Sequence, residues 1–303
     1  SGVSLSSDFG KTWQFKELGI ELLGSAYNSN TGLIVVHTEL SGIYISKDNG
    51  QSFEHITSAN GLLTNAVSSV AISNGGIIYV SHEDDLDEGA GVSFSTDGGN
   101  SFTALLLYEA DNILVSEDGS HLDILHVAVS ESGSVFLATM YGLYVSSDGF
   151  ATFTQYLADL SILTSTLVSD ENWYLGGDDG LHVSHDGGNS FVTTNESEGL
   201  SLIQNIFVDE NSAIYVESRR SLRVSIDDGF SFNSVYRSTA SIFDSFIFSL
   251  TPLDTDADGF PDRVDTDDDN DGVLDVDDAF VNNSAASVDT DGDGLPDTFH
   301  VTC

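Results

Sequence analysis

Gly91-Val-Ser-Phe-Ser-Thr-Asp-Gly-Gly-Asn-Ser-Phe102 is the stretch whose reading decides the fold. Gly91 to Ser95 alternates apolar and small polar residues as a short strand does. Asp97-Gly-Gly is a tight turn, and Phe102 opens the next strand. The chain uses this stretch six times. The other copies are Gly2 to Trp13 with Asp8, Gly42 to Phe53 with Asp48, Gly142 to Phe153 with Asp148, Gly180 to Phe191 with Asp186, and Ser221 to Phe232 with Asp227. The shared pattern is Ser-x-Asp-x-Gly-x-Ser/Thr-aromatic. The copy at Asp148 departs from it, with Phe150 in the place of the second glycine.

Successive aspartates are 40, 49, 51, 38 and 41 residues apart, a period that belongs to propellers and β-arrays. Two further apolar runs precede each copy, for example Ala66 to Ile72 then Gly76 to Val80, and Leu125 to Val129 then Ser134 to Thr139. They are β-branched and aromatic, and no stretch shows capped helical periodicity. Each period therefore holds about four strands, one propeller blade. The expected fold is an all-β propeller of about six blades, seven being the alternative, over residues 1–250. Ser241 to Leu250 reads as a strand that closes the ring onto the N-terminal hairpin and removes open sheet edges. Insertions at His82 to Ala90 and Leu105 to Leu122 interrupt the repeat.

An aspartate in such a turn accepts backbone N–H groups, and glycine supplies the positive φ. The six repeated aspartates are therefore expected to be structural. The repeat resembles the Asp-box of sialidases, sortilin-type receptor domains, some glucanases and a photosystem assembly factor. That resemblance implies a propeller and leaves the activity open. A sialidase site needs arginines that clamp a carboxylate from several sides. Here Arg219, Arg220, Arg223 and Arg237 fall within one blade, which excludes it. A hydrolase with two carboxylates stays open on composition.

Charge narrows the partners. Three lysines and five arginines face 49 acidic residues, for a net charge of −41. Such a field repels nucleic acid and anionic lipid. No apolar window is long enough to insert in a membrane as a helix. The one cysteine, Cys303, leaves no internal disulfide, and further domains or subunits beyond it are expected.

The remaining segment, 251–303, has sixteen aspartates and one arginine. Asp254, Asp256, Asp258, Asp262 and Asp265 are followed by Asp267, Asp269, Asp271, Asp275 and Asp278, and then by Asp289, Asp291, Asp293 and Asp297. Acids fall at positions 1, 3, 5, 9 and 12 with glycine at 6. This is the ligand spacing of a Ca²⁺ loop, in which position 7 (Phe260, Val273 and Leu295) gives its backbone carbonyl. The third loop has His300 at position 12, a poor Ca²⁺ ligand. The flanks are not helical, and the segment resembles thrombospondin type 3 repeats, without the disulfides of the eukaryotic form. That implies Ca²⁺ as cofactor and a secreted or cell-surface protein. The expected function is a binding or adhesion module for a glycan or protein ligand, displayed on a Ca²⁺-stiffened spacer. The alternatives are a secreted glycoside hydrolase and a structural subunit of an extracellular assembly.

Overall fold

The computed structural model describes residues 2–6, 12–82, 91–106, 123–158, 160–167, 169–195, 200, 202–208, 213–218, 221–227, 229, 231–237, 266–267, 269–281, 283–290 and 295–298. The chain divides into two compact units, Ser1–Ser249 and Leu250–Cys303.

The first unit is a β-propeller. Blade 1 is β3 (Gly24–Asn28), β4 (Leu33–His37), β5 (Ile43–Ser46) and β6 (Glu54–Ile56). Blade 2 is β7 (Val67–Ile72), β8 (Ile78–His82), β9 (Gly91–Ser95) and β10 (Thr103–Leu106). Blade 3 is β11 (Ile124–Val129), β12 (Val135–Thr139), β13 (Gly142–Ser146) and β14 (Thr154–Tyr156). Blade 4 is β15 (Ile162–Leu167), β16 (Trp173–Gly177), β17 (Gly180–Ser184) and β18 (Val192–Asn195). Blade 5 is β19 (Ile203–Val208), β20 (Ile214–Ser218), β21 (Ser221–Ser225) and β22 (Asn233–Arg237). Each is an antiparallel meander. The first strands β3, β7, β11, β15 and β19 pack in that order.

Among the described residues there are five four-stranded blades, which corrects the expectation of six or seven. The expected composite blade is represented there only by β1 (Gly2–Leu5) and β2 (Gln14–Glu17), which form a two-stranded sheet. This hairpin packs Val3 and Leu5 against Ile34, Val36 and Tyr44 of blade 1. The expected closing strand, Ser241 to Leu250, lies outside the described residues, as do both insertions except their first residues.

Strand alternation builds the core. Successive side chains point to opposite faces, so neighbouring residues of one strand enter two different blade interfaces. In β8, Ile78 and Val80 pack with Leu33 and Val35 of blade 1, whereas Tyr79 packs with Val135 and Leu137 of blade 3. In β16, Trp173 and Leu175 join Phe136 of blade 3, and Tyr174 joins Ile206 and Ile214 of blade 5.

One irregularity repeats. The first strands of blades 2 to 5 each carry a register shift, at Val67/Ser69, Ile124/His126, Ile162/Thr164 and Ile203/Asn205. Blade 1 pairs Gly24↔His37 to Asn28↔Leu33 without one. A bulge adds a residue and increases local twist, here always in the strand next to the ring axis.

Candidate metal centre

Asp97 Oδ1 accepts the Ser95 hydroxyl at 2.8 Å and the Asn100 and Ser101 amides, each at 3.0 Å. Asp97 Oδ2 accepts the Ser101 hydroxyl at 2.6 Å. The Ser95 hydroxyl oxygen in turn accepts the Gly99 amide at 2.8 Å. Asp48, Asp148, Asp186 and Asp227 are bound in the same way by the serine two residues before and by the Ser or Thr four residues after. These bonds, first the hydroxyl of that later residue, pull all five carboxyls below the usual carboxylate range, Asp48 and Asp227 to about 2. Their lone pairs are spent on the chain itself, as expected for structural residues. Asp8 lies outside the described residues.

The second unit treats its aspartates differently. Asp267, Asp269 and Asp271 each offer a carboxylate oxygen within 4.8 Å of the others. Local backbone curls to achieve this. The Asn270 amide bonds to the Asp267 carbonyl at 3.0 Å, and Asn270 takes φ 52°. Gly272 takes φ 93°, which glycine adopts without strain, and its amide bonds to Asp267 Oδ2 at 3.1 Å. The Asp271 amide bonds to Asp269 Oδ1 at 3.1 Å, and the Val273 amide to Asp271 Oδ1 at 2.8 Å. The loop is closed by the Asp275 amide on the Thr266 carbonyl at 3.0 Å. A single 3-10 turn, Asp275–Asp277, follows.

Asp269 is 6 % exposed, and its Oδ2 is buried with no hydrogen-bond partner. Burial pushes its carboxyl upward from the usual value, and the charges of Asp271 and Asp278 add to that. A buried ionised oxygen without a donor is costly, and a cation is what such an oxygen fits. The three residues therefore suit a hard cation bound by oxygen. The neighbouring chain is tucked in, since Ala286 and Ser287 are buried and the Ala279 amide bonds to the Ser287 carbonyl at 3.1 Å.

Other expected ligands are not gathered with these three. One oxygen of Asp278 accepts the Phe280 amide at 2.6 Å. In the third loop, Asp297 accepts the amide and hydroxyl of Thr290, and its own amide bonds to the Val288 carbonyl at 2.8 Å. Asp289 is described but lies in no cluster of metal-ligating side chains among the described residues; Leu295 is described as well. Asp254, Asp256, Asp258, Phe260, Asp262, Asp265, Asp291 and Asp293 lie outside the described residues.

Sequence reasoning missed a set of histidines inside the propeller. His82 is fully buried, with Nε2 2.8 Å from the Ser93 hydroxyl and Nδ1 3.1 Å from the Ala66 carbonyl. His37 is buried beside the Val67 backbone. His126, half-buried, stands 3.3 Å from the Ser165 hydroxyl of the next blade. Burial lowers all three to about 4, and for His126 the charge of His37 adds to it. The available signal was a histidine inside a β-branched run, as in Leu33-Ile-Val-Val-His37.

No family model matches the chain, and no curated relative does. Solved structures do. The GH74 xyloglucanase from Xanthomonas campestris matches at a TM-score of 0.55 and 15% identity, over 73% of this chain and 39% of that one. The extracellular domain of the BT4673 two component system from B. thetaiotaomicron matches at 0.54 and 17%, over 70% and 28%. An ancestral GH74 enzyme matches at 0.52 and 16%, over 72% and 31%. The chain thus spans well under half of these proteins. At such identity the likeness establishes the β-propeller fold alone. Among the described residues, no helix is long and apolar enough to cross a membrane.

Proposed function

We propose that this chain is an extracellular binding or adhesion module, a β-propeller joined to a segment that holds Ca²⁺. The observation that carries it is the buried, donor-less Oδ2 of Asp269 between the carboxylates of Asp267 and Asp271. Alternate aspartates before Gly272 are the donor set of a Ca²⁺ loop, and Ca²⁺ accepts irregular oxygen geometry that Mg²⁺ does not. Asp275 and Asp278 are the further acidic ligands of the same loop, and Val273 supplies a carbonyl. The first and third loops repeat the pattern. The domain limits of this reading are 1–250 and 251–303.

Ca²⁺ sites built of loops work at the millimolar concentrations found outside cells, which supports a secreted or cell-surface location. The net charge of −41 argues against nucleic acid and anionic membranes as partners. A glycan or protein ligand remains as the partner class. The cavity between blades 3 and 4 is lined by a single carboxylate, Asp170, whereas glycoside hydrolysis uses two.

Calorimetric titration of the chelator-treated chain with CaCl₂ and with MgCl₂ tests the metal. Saturable Ca²⁺ binding, weaker Mg²⁺ binding, and loss of the site in Asp269→Asn are expected. Absence of Ca²⁺ heat would end the proposal. Glycan-array binding and a hydrolysis screen on one sample separate module from enzyme.

A further inference from the structure

The interface of blades 3 and 4 contains a cavity of about 260 Å³. One wall is the β11–β12 turn, with Ser130, Ser132 and Ser134, together with Asp170 from the β15–β16 turn. The other is aromatic, with Phe136, Tyr156 and Trp173. Trp173 stands edge-on to Phe136 at 4.8 Å and to Tyr156 at 5.2 Å between ring centres.

The polar wall is a relay. The Ser130 and Ser132 hydroxyls are 3.0 Å apart, and those of Ser132 and Ser134 are 3.3 Å apart. The Ser132 amide donates to Asp170 Oδ1 at 3.2 Å. The Asp170 carboxyl is held below the usual range, first by the Ser130 hydroxyl and then by that of Ser132. An ionised carboxylate only accepts. The Ser130 oxygen already takes the Ser134 amide at 3.2 Å, so the Asp170 carboxylate and the Ser132 and Ser134 oxygens are the acceptors left for whatever enters. Trp173 Nε1–H is also spent, on the Asp170 carbonyl at 2.8 Å. This wall has acceptors to offer, so a partner must bring the hydrogens.

A neutral alcohol and an ammonium group both bring hydrogens. Three features favour the ammonium: the carboxylate of Asp170, the negative potential of aromatic rings toward cations, and the field of a chain at −41. The volume is below the ~300–1,000 Å³ of sites for drug-sized ligands, so it suits one side chain or a short amine.

We propose that this cavity binds a primary alkylammonium group, as carried by a lysine side chain or a free amine. The site is independent of the metal centre.

The test is titration of the full chain with n-butylammonium chloride at fixed ionic strength, followed by calorimetry or saturation-transfer NMR. The control ligand is 1-butanol. Saturable butylammonium binding is expected, with affinity lowered tenfold or more in Asp170→Asn. Thr154→Trp, at an exposed lining position, should block binding without touching the relay. Glu54→Gln, an exposed acid on blade 1, should leave it unchanged. Equal binding of 1-butanol, unchanged affinity in Asp170→Asn, or no saturable binding would overturn the proposal. Nα-acetyl-lysine methylamide separates the sources. Tighter binding than butylammonium assigns the site to a protein lysine, and equal binding assigns it to free amines.

Discussion

Asp97 and Asp269 both sit in glycine-containing turns, and their surroundings treat them in opposite ways. Asp97 has four donors from its own hairpin, and its carboxyl is pulled down. Asp269 has a buried oxygen with no donor and two acidic neighbours, and its carboxyl is pushed up. The spacing explains the difference. In the propeller turn the residues around the aspartate are Ser, Gly, Asn and Ser, which donate. In the tail loop the alternate residues are aspartates, which only accept. The first arrangement is complete as it folds; the second is suited to a cation.

Metal removal should separate the two regions most. Without Ca²⁺ the carboxylates at 267, 269 and 271 repel one another. The amides of Asp271, Gly272 and Val273 should then lose protection in hydrogen exchange, while the strands of blades 1 to 5 keep theirs. Asp269→Asn should lower Ca²⁺ affinity by about 100-fold or more, since even outer-shell changes at metal sites cost up to ~100-fold. Unchanged exchange in the tail with chelator would remove the contrast.

Acid should act on the propeller through its histidines before it reaches the turn aspartates. For His37, His82 and His126 the folded value of about 4 lies below the ordinary histidine value of 6.5. Between these values the unfolded chain binds more protons, so stability rises with pH there. The contribution is fully present above about 6.5 and is lost as pH falls toward 4. For a fully buried ring such as His82 the loss is on the order of 3 kcal/mol. The turn aspartates have depressed values, so their contribution holds above the ordinary 3.8 and fades only as pH falls toward about 2 for Asp48 and Asp227. Urea midpoints at pH 7, 5.5 and 4.5 should fall in that order, and His82→Gln should flatten the slope. A flat profile from pH 7 to 4.5 would contradict buried neutral histidines.

The propeller was legible because its turn is written with side chains that bond locally. Ser95, Asp97, Gly99 and Ser101 lie within seven residues, and their bonds close inside the hairpin. Blade number was less legible, because it depends on which strands accompany each turn. Among the described residues the copy at Gly2 to Trp13 has two strands and no more, so the number of turns and the number of complete blades differ. The grouping of Asp267, Asp269 and Asp271 was legible through spacing, for the same local reason. The cavity at Asp170 was not, because it joins Ser130 to Ser134 with residues nearly forty positions away.

Phe150 shows how a departure from the repeat is compensated across strands. Four of the five turns in four-stranded blades have glycine at this place, namely Gly50, Gly99, Gly188 and Gly229. A Cβ on Gly188 would stand 2.2 Å from Trp173, and one on Gly99 2.5 Å from Ile45. In blade 3 the second-strand residue paired with the turn serine is Val135, where the other blades have Ile34, Ile78, Trp173 and Ile214. The smaller valine leaves room, and Phe150 fills it at φ 72°. Phe150→Gly restores the pattern and relieves roughly 1 kcal/mol of left-handed strain. It also leaves a void worth about 3–5 kcal/mol. A net loss of about 3 kcal/mol in chemical denaturation is expected. A variant as stable as the parent would mean that Phe150 packs no space that matters.

Asp97→Asn is a smaller test of the same contrast. Its carboxamide keeps one acceptor for the Ser95 hydroxyl and the Asn100 and Ser101 amides, and turns an NH₂ toward the Ser101 hydroxyl. That hydroxyl can reverse its role, so the turn survives with weaker, uncharged bonds. A small loss of stability is expected from exchanging charge-assisted for neutral hydrogen bonds. Asp97→Ala should cost more, because the amides of Asn100 and Ser101 then keep only water. Added Ca²⁺ should rescue neither variant, whereas it should stabilise the wild-type tail. Calcium-dependent recovery of Asp97→Asn would mean that the propeller turns also hold metal, and the division of labour between the two kinds of aspartate would fall.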